Sequence, residues 1–71
     1  MFIRENLKKC RKEKKESLRV LSRELFAKYG EDISAETISS WERGDTNPRV
    51  DQLSHLAAYF VKPIEYFFSD K

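Results

Sequence analysis

The chain has few of the residues that form disulfides, turns between strands, or membrane anchors. Its 71 residues include one cysteine, Cys10, which excludes an intramolecular disulfide and a cysteine-rich metal site. We expect Cys10 to be a small buried hydrophobe. Two glycines and two prolines are too few to punctuate a many-stranded sheet, so the composition predicts an all-helical fold.

Long apolar runs and catalytic groupings are scarce as well. The apolar stretches are only a few residues long, whereas a membrane-spanning helix needs about 20, and the N-terminus lacks the apolar core of a signal peptide. His55 stands without a cysteine or second histidine at ligand spacing, and there is no glycine-rich phosphate loop. The sequence predicts a cytoplasmic, non-enzymatic protein without metal or cofactor, and its length fits one domain, residues 1–71.

Charge is distributed unevenly along the chain. Residues 1–30 contain ten Lys or Arg and four Asp or Glu, a net +6, whereas residues 31–71 carry a net −4. A basic half indicates an anionic partner. The alternative is that the lysines of the first segment form a solvated helix face, namely Lys8, Lys9, Lys12, Lys14 and Lys15.

Apolar residues recur at helical spacing along most of the chain. The pattern predicts helices over residues 2–14, 18–29, 35–43 and 50–60 and a short fifth helix over 64–68. Ser17 and Ser34 can cap the second and third helices, while Gly30 and Gly44 can end them. Pro63 suits the first position of the fifth helix. The buried face of the fourth helix is expected to comprise Val50, Leu53, Leu56, Ala57 and Phe60.

The most informative segment is 34–48, which reads SAETISSWERGDTNP. Within its helix, Ile38 and Trp41 are three residues apart, so both lie on one face, which should point into a core. The other faces carry short or polar side chains that allow close approach to another surface. A short helix of this kind suits a groove.

The run Thr37–Gly44, TISSWERG, resembles the recognition helix of the Cro and lambda-repressor helix-turn-helix family, also called the XRE family. The resemblance covers roughly residues 2–68 and implies a five-helix, lambda-repressor-like domain that binds double-stranded DNA as a transcriptional regulator, without a cofactor. It implies that the second helix braces against the DNA backbone while the third lies in the major groove. A homodimer on a palindromic operator is expected, because one such module buries only about 600–1,000 Å².

The same resemblance implies a role for individual positions. The base-reading positions fall at Ala35, Glu36, Thr37, Ser39 and Ser40. Phosphate contacts are expected from Ser17, Arg19, Arg43, Thr46 and Asn47. Arg11 matches the first-helix arginine that pairs with a third-helix glutamate, here Glu42, and this pair is expected to be structural. For Glu36 the alternative is an acidic residue at a helix start that reaches no base.

Two features depart from the family pattern. Leu18 follows the cap of the second helix, where the family usually has Gln or another polar residue. The segment from Ser17 to Ser34 is also roughly six residues longer than typical. The extra residues should extend the second helix and lengthen the turn, which usually has only about 3–4 residues. Some repressors of Gram-positive phages resemble this longer form. We expect Ile33 to be buried as a hydrophobic staple. Around it, we expect exposed Glu31 and Asp32, with Phe26 or Tyr29 covering the turn.

The sequence leaves two rival interpretations. Acidic residues around the third helix fit a protein-interaction module, such as an antitoxin-like partner, that keeps the fold but binds DNA weakly. Alternatively, the chain is the DNA-binding part of a longer repressor with a separate dimerisation or sensor domain. The cluster Tyr66-Phe67-Phe68 is a candidate dimer patch, unless Phe67 completes the core and Phe68 alone is exposed.

Overall fold

The computed structural model describes residues 1–70, which form four α-helices and one 3-10 helix. The elements are α1 (Arg4–Glu13), α2 (Leu18–Tyr29), α3 (Ala35–Arg43), α4 (Val50–Phe60) and the 3-10 helix Ile64–Tyr66. The all-helical prediction and the predicted bounds of α2, α3 and α4 are confirmed. α1 is shorter than predicted at both ends.

The predicted count of five helices is not confirmed, because the fifth element is a short 3-10 helix. Phe68 instead pairs with Phe2 in an isolated antiparallel bridge, in which Ile3 donates its backbone N–H to the carbonyl of Phe67 at 2.7 Å. Backbone groups that take part in this bridge cannot extend a helix at either terminus of the chain. Pro63 accordingly precedes the turn in an extended conformation and does not occupy its first helical position.

Local capping signals set the ends of α2 and α3. Ser17 and Ser34 each accept a hydrogen bond from the backbone N–H three residues further on, both at 3.1 Å. Gly30 and Gly44 end the two helices with φ of +68° and +85°, a left-handed conformation that glycine adopts without steric cost. These four residues fix where α2 and α3 begin and end, and thereby the length of the turn between them.

One apolar stripe from each helix forms the core. Its fully buried side chains are Leu7, Leu21, Leu25, Ile38, Leu56 and Phe67, and Trp41 is only 2% exposed. Cys10 is also buried, as predicted, and burial raises the pKa of its thiol. The predicted burial of Val50 is wrong: it is 74% exposed, because it lies in the first turn of α4, ahead of the packed part. No helix within residues 1–70 is long and apolar enough to cross a membrane.

The connection between α2 and α3 is held by packing and by a backbone contact. Ile33 is 4% exposed, which confirms its predicted burial. Its carbonyl oxygen accepts a hydrogen bond from the Ser22 hydroxyl of α2. Asp32 is exposed, as expected. The inserted residues therefore form an ordered turn.

Contacts with α4 overturn one expectation about this connection and decide between the two alternatives of another. Glu31 was expected to be exposed, but its side chain is only 14% exposed and its Oε2 lies 2.5 Å from Nδ1 of His55. The Tyr29 ring stacks on the His55 ring, with centroids 4.7 Å apart. Phe26 is 60% exposed, so Tyr29 alone covers the turn.

The two helix-ending glycines provide a matched test of the contact between α1 and the end of α3. A Cβ at Gly30 would meet nothing within 4 Å, whereas a Cβ at Gly44 would overlap the Arg4 guanidinium, which donates to the carbonyl of Arg43. Gly30→Ala should cost about 1–2 kcal/mol of left-handed strain. Gly44→Ala should cost about 0.5–1.5 kcal/mol more, because it also displaces the Arg4 hydrogen bond. Urea unfolding of both variants measures the difference.

The Arg4→Ala background supplies the control. With Arg4 absent, the two glycine substitutions should reduce the free energy of unfolding equally. Equal costs in the wild-type background would show that the Arg4 contact does not stabilise the end of α3.

Candidate nucleic-acid interface

A largely buried ion pair fixes α3 against α1. Arg11 donates from Nε to Oε2 of Glu42 at 2.7 Å and from Nη2 to Oε1 at 3.0 Å, and the two side chains are 12% and 8% exposed. The Arg11 Nη1 group donates to the carbonyl of Glu16 at 2.8 Å. Hydrogen bonding to Glu42 raises the pKa of Arg11, which keeps the guanidinium charged. One side chain thus joins α1, α3 and the segment before α2.

α3 has one face in the core and another at the surface. Ile38 and Trp41 are 0% and 2% exposed, as their spacing predicts. All five predicted base-reading residues lie outside the core: Glu36 is exposed, and the rest are partly exposed. These four are Ala35, Thr37, Ser39 and Ser40. The helix therefore presents a face of small and polar side chains.

Polar side chains of this face hydrogen-bond to one another in the free protein. The hydroxyl groups of Ser40 and Thr46 are 2.9 Å apart. Arg43 donates from Nη1 to the Ser39 hydroxyl at 2.6 Å and from Nε to the Asp45 carboxylate at 2.9 Å. A phosphate that binds Arg43 must therefore compete with Asp45.

The predicted phosphate-contact residues are all exposed and lie in two places. Ser17 and Arg19 are at the N-terminal end of α2, while Arg43, Thr46 and Asn47 surround the C-terminal end of α3. The Ser17 oxygen accepts the capping hydrogen bond, so its hydroxyl hydrogen is left to donate to an anion. Backbone N–H groups of the first turn of α2 that have no partner within the helix are further donors for an anion at this site.

A shallow groove between α3 and the start of α4 brings members of the two predicted sets together. From α3 it is lined by Glu36, Thr37, Ser40 and an edge of the nearly buried Trp41, and from the following loop by Thr46 and Asn47. The other predicted residues lie outside this groove. Ala35 and Ser39 are elsewhere on the surface of α3, and the α2 residues are at their own site.

Two further residues of this groove were missed by the sequence analysis. Arg49 and Gln52 line it from the start of α4, where the Gln52 side chain accepts the Arg49 backbone N–H at 2.8 Å. The Arg49 side chain is 71% exposed, and its hydrogen bond to Asp51 lowers the pKa of that carboxyl. The sequence does contain a signal for Arg49, since it is a basic residue directly after the Asn47-Pro48 turn.

A family comparison identifies the architecture that these elements form. The sequence model described as helix-turn-helix matches residues 7–67, which extend from α1 to beyond the 3-10 turn. The chain belongs to the Cro and lambda-repressor (XRE) helix-turn-helix family. As a helix-turn-helix protein it is a DNA-binding transcription regulator, of a family that is generally non-enzymatic. No curated protein and no solved structure matches the chain.

The helix-turn-helix itself consists of α2, residues 30–34 and α3. Its two helices pack against each other more extensively than any other pair of helices in residues 1–70. Leu18, at the position where a polar residue is usual, packs partly buried against the core. Its side chain therefore offers no polar group to DNA.

The Arg11–Glu42 pair should show strong energetic coupling in a double-mutant cycle. Removing either partner leaves a buried charge unpaired, so Arg11→Ala or Glu42→Ala should each cost about 3–5 kcal/mol. The double variant should cost much less than the sum of the two. Thermal and urea unfolding of the four proteins give the coupling energy.

The Arg43–Asp45 pair is the matched control for this cycle. Its N–O distance of 2.9 Å is close to the 2.7 Å of the buried pair, but its side chains are 59% and 60% exposed. Solvent screening should limit its coupling to about 0–1 kcal/mol. Similar coupling in the two cycles would contradict the role assigned to burial of Arg11 and Glu42.

Proposed function

We propose that this protein is a sequence-specific repressor that places α3 in the major groove of double-stranded DNA. One observation carries the proposal: α3 exposes its small and polar side chains, three of which line the groove shared with α4, while Ile38 and Trp41 are packed in the core. Ile38 and Trp41 anchor it by packing, and Glu42 anchors it by its ion pair. The reading face is thus held rigidly but stays accessible.

Base recognition follows from the chemistry of the exposed positions. Glu36 is exposed and is the acceptor that reads a cytosine N4 amino group, whereas Ala35 contacts a thymine methyl group. The hydroxyl groups of Ser39, Ser40 and Thr37 read base edges by exchanging their internal hydrogen bonds for bonds to DNA. Each such exchange gives a small net gain with the correct base and a loss with a wrong one.

Phosphate contacts on both sides of the reading face position the protein. Ser17, Arg19 and the first backbone N–H groups of α2 bind one strand, with the helix dipole favouring the anion. Arg43, Thr46 and Asn47 bind the backbone near the other end of α3. These contacts set the register and orientation, and the base contacts supply specificity.

The proposed operator is palindromic and is bound by a homodimer. Residues 1–71 act as one helix-turn-helix domain, and two of them are needed for the contact area of a specific regulator. At the candidate dimer patch, Phe67 is fully buried and Phe68 is 43% exposed, so Phe68 and the partly exposed Tyr66 supply its aromatic surface. Ile64 is 36% exposed in the preceding turn and adds apolar area.

A second candidate is a protein-interaction module that binds DNA weakly. The exposed carboxylates of Glu36 and Asp45 beside α3 favour it, since both repel phosphate. Asp45 is, however, already paired with Arg43, which reduces that repulsion. Salt dependence of duplex binding separates the two candidates.

Duplex binding should weaken steeply with salt. If about 4–6 phosphates are contacted per protomer, the slope of log affinity against log salt should be roughly −4 to −5. Fluorescence anisotropy with a duplex selected from a random library measures this slope. A flat response, or no binding at low salt, would favour the interaction module.

Glu36 and Arg43 should show opposite signatures. Glu36→Gln removes the charge at constant size, so it should cost about 1–3 kcal/mol at one base pair and relax the preference there. Arg43→Ala should weaken all sequences alike and make the salt slope shallower by about one unit. Binding to a set of single-base operator variants distinguishes a local effect from a uniform one.

Glu65→Gln is the control for the charge change, because Glu65 is exposed in the 3-10 helix and outside the reading face. It should leave base preference unchanged. Uniformly tighter binding by Glu36→Gln, without any change of preference, would show that Glu36 repels phosphate and reads no base.

A further inference from the structure

A second groove lies between α1 and the C-terminal end of α3, and we call it the α1 groove. All eight of the residues that line it are charged, and five of them are basic. The basic residues are Arg4, Lys8, Lys9, Lys12 and Arg43. The excess of basic over acidic side chains in this groove favours an anion.

The three carboxylates of the α1 groove are each matched by an arginine. Glu42 is held by Arg11, which is not one of the residues that line the groove. Asp45 lies 2.9 Å from Arg43, and Glu5 lies 3.4 Å from Arg4. The acidic residues therefore do not neutralise the lysines.

The lysines of the α1 groove have no partners of their own. Lys8, Lys9 and Lys12 are exposed, and none forms an ion pair or side-chain hydrogen bond with another described residue. Lys8 and Lys12 are four residues apart, so they are neighbours on one face of α1, with Arg4 one turn before them. Like charges at this spacing repel, and a bound polyanion would relieve that repulsion.

The position of the α1 groove indicates which polyanion it meets. Arg43 lines the groove and also donates to Ser39 on the surface of α3, so the groove borders the proposed reading face at Ser39. A helix in the major groove, which is about 12 Å wide, is flanked by the backbones of both strands. A basic surface beside α3 is therefore beside phosphates.

We propose that the α1 groove binds backbone phosphates of the same duplex that α3 reads. The inference rests on the proposed function and extends the contact beyond the helix-turn-helix. It gives a role to the basic excess of residues 1–30. Among the lysines and arginines of this half, only Arg19 belongs to the phosphate contacts proposed for the helix-turn-helix. Lysine ammonium groups act on phosphate as point charges, so the contact adds affinity without base preference.

The test compares two double variants that lose the same charge. Lys8→Gln with Lys12→Gln removes two lysines from the α1 groove, whereas Lys28→Gln with Lys62→Gln removes two exposed lysines elsewhere. Loss of two phosphate contacts should make the salt slope of duplex binding shallower by about 1.8 units for the groove variant only. Its affinity should fall by the same factor for selected and random duplexes, with base preference unchanged.

A charge-preserving variant keeps the test independent of folding. Lys8→Arg with Lys12→Arg should retain the wild-type slope, and circular dichroism melting should show that all three proteins are folded. Equal slope changes in the two glutamine variants would assign the effect to net charge and overturn the proposal. A wild-type slope in the groove variant would identify a solvated helix face and overturn it too, while leaving the proposed function intact. Absence of duplex binding by the wild-type chain would overturn the proposed function and this inference with it.

Discussion

The Arg11–Glu42 ion pair is the contact on which the presentation of α3 depends. Taking two charges out of water is costly, and the cost is offset here by two hydrogen bonds within the pair and a third from Arg11 to the Glu16 carbonyl. Apolar side chains of similar size could hold two helices together equally well. They could not fix direction in the way that a planar guanidinium fork does. We infer that the pair sets the rotation of α3 about its axis, and thereby which side chains face outward.

That orientation creates a surface on which several polar side chains are hydrogen-bonded to one another without DNA. Ser40 bonds to Thr46, and Arg43 bonds to both Ser39 and Asp45. In the proposed complex, binding exchanges one set of hydrogen bonds for another, so the net free energy per contact should be small. We therefore expect affinity to come chiefly from phosphate contacts, and discrimination from the penalty when a wrong base leaves a buried group unpaired. The clustering of lysines on α1, next to this surface, is consistent with that division.

Local signals and long-range contacts explain how much the sequence could predict. The bounds of α2 and α3 follow from serine caps, left-handed glycines and apolar spacing, which act within a few residues. Those of α4, which starts after Arg49 and ends before Val61, follow from the preceding proline and the apolar spacing. The prediction of a fifth helix over residues 64–68 was not confirmed, because Phe68 pairs with Phe2 at the other end of the chain. The predicted exposure of Glu31 was wrong because its carboxylate contacts His55 on α4. No helical period encodes either contact. The DNA-contacting residues were assigned from the family resemblance, and their roles stay predictions.

Recognition of DNA by α3 is tested most directly by an NMR titration of ¹⁵N-labelled protein with a short duplex that carries its selected site. Backbone amide shifts report which elements meet DNA without any substitution. The largest changes should occur at the first turn of α2, in α3 and in residues 44–49, with smaller changes on the α1 face that carries Lys8 and Lys12. Changes confined to the segment around Phe68, with α3 unaffected by excess duplex, would contradict recognition by α3.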